Sequence, residues 1–95
     1  DIPPKMLHKL RLIFEELCYQ ILFSKLEDKH IDFVVEYDRE KSEATVNIRY
    51  VGKDFDPMES DNEISVALVK NAVSEIEHRY IEDAEFTNKI SISLK

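Results

Sequence analysis

The fold is decided by residues 50–73, YVGKDFDPMESDNEISVALVKNAV. A period-two run ends at Tyr50, Gly52 is the only glycine of the chain, an acidic loop follows, and an apolar helical pattern begins near Ile64. Pro57 keeps a helix from covering the loop and biases Asp56 toward an extended backbone. Ser60 and Glu63 have the S-x-x-E spacing of a capping box, so a helix is expected to start there. Ile64, Leu68, Val69, Ala72 and Val73 are expected to be its inward residues, and the pattern gives way near Ser74.

Upstream, Met6, Leu10, Ile13, Leu17 and Ile21 recur at steps of three and four. Leu7, Phe14, Cys18 and Leu22 widen that stripe, which predicts one long helix over about Lys5–Leu26. Ile31, Phe33, Val35 and Tyr37 alternate with Asp32, Val34, Glu36 and Asp38, and Ala44, Val46, Ile48 and Tyr50 with Thr45, Asn47, Arg49 and Val51, with a polar turn at Asp38–Ser42. Two such runs make an antiparallel hairpin with one buried face. Downstream, Ile76, His78 and Tyr80 read as a third strand and Ile90, Ile92 and Leu94 as a fourth. The order is α-β-β-α-β-β. The economical packing is an α+β, two-layer sandwich, with two helices on one face of a mainly antiparallel four-stranded sheet. Asp32, Glu36, Asn47, Arg49, Glu77, Arg79 and Ser91 are expected on the wet face.

Ninety-five residues suit a single domain, here 1–95, and 43% hydrophobic residues can supply its core. The formal net charge of −7 disfavours nucleic acid, which is bound through Lys and Arg on phosphates, and disfavours anionic membranes. Cys18 is the only cysteine, which excludes an intrachain disulfide and fits a cytoplasmic setting. No apolar run approaches the ~18 residues of a membrane helix. With one glycine, neither GxxxxGK[ST] nor GxGxxG can be written. His8, His30 and His78 have no zinc spacing, and no metal site is expected. The chain opens DIPPKM, without an initiator Met, as a segment of a longer protein would.

Three stretches carry a resemblance: IFEELCYQIL, then VNIRYVGKDFDPME, then DNEISVALVKNAVSEIEHRY. Their order and spacing resemble the histidine-kinase-like ATPase superfamily (the GHKL or Bergerat fold), and are most similar to its anti-sigma-factor serine-kinase branch. The resemblance runs from about Met6 to Leu94 and lacks the family's N-terminal elements. The first stretch is similar to E-E-L-x-x-N-A. It puts Glu16 at the base or water-orienting glutamate and Gln20 at the Mg²⁺-holding asparagine. The second is similar to a strand followed by D-x-G-x-G-F-D-P. Gly52 matches the first glycine, while Tyr50 stands at the adenine-reading aspartate and Asp54 at the second glycine. The third is similar to G-L-G-L-x-L-V-K-x-x-V-D-E-I-E-Y, with Glu63 and Ser65 on the two phosphate-loop glycines.

The resemblance thus implies an ATP site at Glu16, Gln20, Tyr50, Gly52, Asp54, Glu63 and Ser65 whose framework is kept and whose chemistry is largely replaced. Glu16 is its one candidate catalytic residue. The residues themselves point the same way. Tyr50 continues the inward series Ala44, Val46, Ile48 and is expected in the core. Asp54, Asp56, Glu59, Asp61 and Glu63 surround the loop with negative charge, which repels a triphosphate. The expected function is a degenerate regulatory domain acting through contact with a signalling or transcription regulator, with no cofactor. The alternative is an active Mg²⁺–ATP-dependent serine kinase. An uncovered sheet edge would favour a homodimer. Phe55, Met58 and Phe86 are candidate partner anchors or core-end plugs.

Overall fold

The computed structural model describes Ile2–Lys95. A helical rod opens the chain, with Pro4 at its first position, where a missing N–H costs nothing. It runs as helix α1 (Pro4–Leu12), a π-helical stretch (Ile13–Leu22) and one 3-10 turn (Phe23–Lys25). The expected rod is there, but its middle is wider than an α-helix. Ile13, Leu17, Cys18, Ile21 and Leu22 are its buried residues. Nothing in these residue types calls for the wider turn. Leu7 and Phe14, expected in the stripe, lie exposed on its flank instead.

Strands β1 (Ile31–Asp38) and β2 (Glu43–Tyr50) pair antiparallel without a bulge, from Ile31 opposite Tyr50 to Asp38 opposite Glu43. The connecting turn is held by Asp38 Oδ1, which accepts from the amides of Glu40 and Lys41 at 3.0 and 3.2 Å. Ser42 closes it at φ 51°, a left-handed conformation uncommon outside glycine. Beyond the loop come a 3-10 turn (Pro57–Glu59), helix α2 (Glu63–Ala72), β3 (Glu75–Tyr80) and β4 (Asn88–Leu94). The sheet order is β1-β2-β4-β3, with every neighbouring pair antiparallel. The last strand of the chain is therefore an inner strand.

Both helices pack on one sheet face. Ala44, Val46, Ile48 and Tyr50 from β2, and Ile90, Ile92 and Leu94 from β4, are buried beneath Ile13, Leu17, Ile21, Val66 and Val69. On the opposite face Arg49 pairs with Asp32 and lies 4.4 Å over the Phe86 ring, Arg79 reaches Glu77, and Ser91 reaches Asn47.

Two expectations about α2 are corrected. Its cap is Asn62, whose side chain accepts from the Ser65 amide. Ser60 Oγ accepts instead from the Asn62 amide, at 3.1 Å, which organises the loop before the helix. The inward face is Ser65, Val66 and Val69, whereas Ile64 is 77% exposed and Leu68 is also exposed. Val66 and Val69 in the core, with the Ser65 hydroxyl on Glu16, hold this rotation. Ile64 and Leu68, four apart on the outer side, follow from it. No described helix is long and apolar enough to cross a membrane.

Candidate functional site

The sequence-derived site residues converge only in part. Tyr50 ends β2 fully buried, and its hydroxyl donates to the Phe55 carbonyl at 3.3 Å. Burial first, and then the carboxylates of Asp56 and Asp54, raise its phenol above the ordinary range. The ring closes the core beneath the loop and offers no face to a base.

Gly52 is explained by close approach. A Cβ on it would lie 2.6 Å from the carbonyl oxygen of Lys25, at the end of the helical rod. The Glu27 amide donates to the Val51 carbonyl at 3.0 Å across the same seam. On its other side the Gly52 amide donates to Thr87 Oγ1 at 3.1 Å. The Gly52 carbonyl accepts from Thr87 Oγ1 at 2.9 Å and from Asn88 Nδ2 at 3.0 Å. Asn88 is wholly buried. Its Nδ2 also reaches the Lys53 carbonyl at 3.1 Å, while its Oδ1 lies 2.8 Å from His78 Nε2. Two carbonyls face the amide nitrogen, so Oδ1 is the acceptor and His78 Nε2 carries the donated hydrogen. Sequence reading missed Thr87 and Asn88. The available signal was an amide at the start of an inward series, Asn88, Ile90, Ile92, Leu94, where an unpartnered polar group would be costly.

Glu16 and Ser65, 49 residues apart, are brought together. Ser65 Oγ donates to Glu16 Oε1 at 2.8 Å, and Ser65 is buried between the π-helical stretch and α2. Gln20, Asp54 and Glu63 are exposed. Glu63 sits in the first turn of α2, where a negative charge suits the helix dipole.

Three amides at the start of α2, and that of Val66 in the first helical bond, have acceptors within the chain. Asn62 N donates to Ser60 Oγ, Glu63 N to the Asp61 carbonyl at 2.9 Å, Ser65 N to Asn62 Oδ1 at 3.3 Å, and Val66 N to the Asn62 carbonyl at 3.1 Å. A helix N-terminus receives a phosphate through free N–H groups, and these four have internal acceptors. Nearby, a cavity of about 240 Å³ is lined by Ser24, Lys25, Leu26, Glu27, Lys53 and Phe55, with Lys25 Nζ 4.8 Å from the Phe55 ring centroid. None of the sequence-derived site residues lines it. Phe55 and Met58 pack partly buried against the core. Among the described residues no three His, Cys, Asp or Glu side chains gather as a metal would require.

Comparisons with protein-family models, with curated proteins and with solved structures found no match.

Proposed function

We propose that the chain is a regulatory domain of the histidine-kinase-like ATPase type that has kept a scaffold and lost its nucleotide chemistry. It acts in the cytoplasm through contact with a protein partner, a signalling or transcription regulator.

The hydrogen bond between Ser65 and Glu16 carries this reading. It ties the candidate catalytic carboxylate to a position where the resemblance requires a glycine beside phosphate. The engaged amides of Asn62, Glu63, Ser65 and Val66 support it. So does the burial of Tyr50, the position at which the resemblance calls for the adenine-reading aspartate. Five loop carboxylates oppose a triphosphate further, because charge repulsion strengthens where water is partly excluded.

Isothermal titration calorimetry with Mg²⁺–ATP tests the proposal. No binding heat is expected. Micromolar binding would overturn it in favour of an active serine kinase, in which Glu16→Ala abolishes phosphate transfer and leaves the fold intact.

A further inference from the structure

Strand β1 is an open edge. It pairs with β2 on one side, and among the described residues no backbone group pairs with its other side. Its eight residues run in one-to-one register without the bulge or proline that commonly blunts an edge. Its core-facing row is also incompletely covered. The inward residues of β2 are fully buried, whereas Ile31, Phe33, Val35 and Tyr37 are only half-buried. The helical rod leaves an apolar flank above that row. Phe14 meets Phe33 edge-on at 5.6 Å yet remains 53% exposed, and Leu7, two turns earlier, shares its side. On the opposite face Val34 is 44% exposed. A strand laid along this edge would complete the backbone ladder and cover Phe33 and Phe14 together.

The charges favour one occupant over a second copy in the two central registers. The wet face of β1 carries Asp32, Glu36 and Asp38 around Val34; Asp32 is paired with Arg49, and Asp38 accepts from the turn amides of Glu40 and Lys41 without a cationic partner. A second copy, paired antiparallel about Val34, would set Asp32 opposite Glu36. Paired about Val35, it would set Asp32 opposite Asp38. Like charges directly opposite destabilise a strand pair, and the chain carries a net charge of −7. An extended segment with basic side chains on that face meets Glu36 and Asp38 favourably. β3, the other edge, is shorter and already carries a basic residue, Arg79, against Glu77.

We propose that the β1 edge is a strand-addition site for an extended partner segment that alternates apolar and basic side chains. This rests on the reading of the chain as a protein-contact domain, and it names the contact.

The test titrates the isotope-labelled chain with a synthetic peptide of alternating valine and lysine, and with a matched peptide of valine and glutamate. The basic peptide is expected to bind, with amide shifts and slowed hydrogen exchange confined to Ile31–Asp38 and the neighbourhood of Phe14. Glu36→Lys, an exposed change checked by circular dichroism, is expected to weaken the basic peptide about tenfold and to favour the acidic one. Absence of binding, equal binding of both peptides, or shifts centred elsewhere would overturn the site. Sedimentation showing a concentration-dependent dimer that masks β1 would overturn the choice of occupant. Mg²⁺–ATP calorimetry separates the two proposals. ATP binding together with peptide binding sinks only the loss of nucleotide chemistry, and failure to bind either ligand sinks only the β1 site.

Discussion

Ser65 Oγ donates to Glu16 Oε1 at 2.8 Å, joining the π-helical stretch to the first turn of α2. A carboxylate acceptor makes this a charge-assisted bond, and partial exposure of Glu16 weakens it. A double-mutant cycle of Glu16→Ala and Ser65→Ala, read by urea denaturation, is expected to give a coupling of about 1 kcal/mol. Additive effects would mean that the two side chains do not depend on each other.

Gly52→Ala places a methyl group 2.6 Å from a backbone oxygen that cannot swing aside as a side chain would. The expected loss of stability is about 1–3 kcal/mol. Thermal unfolding checks it. An unchanged midpoint would show that the seam between the helical rod and the loop yields easily.

The start of α2 gives a discriminating pair. Asn62→Ala is expected to cost about 1 kcal/mol, because Asn62 Oδ1 takes the Ser65 amide. Ser60→Ala is expected to cost less than about 0.5 kcal/mol, since it touches only the loop. Equal or reversed losses in chemical denaturation would restore Ser60 as the cap.

Alkaline pH should unfold the chain by a specific route. Burial pushes the Cys18 thiol from 9.0 up to about 12, and burial with nearby carboxylates raises the Tyr50 phenol. In both cases the unfolded chain releases its proton at lower pH than the folded one. The Cys18 contribution is intact below pH 9 and is lost as pH climbs toward about 12, while that of Tyr50 is intact to about 10 and is lost at still higher pH. Urea midpoints are expected to fall across that interval, and native Cys18 to resist Ellman's reagent until the chain opens. A flat profile would contradict the burial of both groups.

How much was legible in the sequence varies with the signal each element carries. The β1–β2 hairpin was readable because Ala44 to Tyr50 alternate without interruption and Ile31 to Tyr37 do so with one exception, Val34. The same alternation placed Tyr50 in the core. The facing of α2 was not readable. Ile64, Val66, Leu68, Val69 and Val73 spread round more than one side, so periodicity admits several rotations. One interaction that holds the observed rotation, Ser65 with Glu16, spans two distant segments. Ser60 and Glu63 had the right spacing for a cap, but Asn62 lies one residue before the helix and takes the amide first. The π geometry left no trace because its residues suit an α-helix equally well. Of the site, Glu16 and Ser65 were found as positions, but not as partners of each other. The role of Asn88 depended on knowing that Gly52 and Lys53 would lie beside it.

The interior position of β4 bears on how the protein is made. Until Asn88–Leu94 leaves the ribosome, β2 has a neighbour on one side only, and β3 has none. The nascent chain then displays Ala44, Val46 and Ile48 beside a bare backbone edge, and a β-strand in that condition pairs readily with a stranger. Translation speed through the codons of β4, and any chaperone that shields β2 meanwhile, would thus govern yield, whereas a premature stop before β4 would leave an aggregation-prone hairpin.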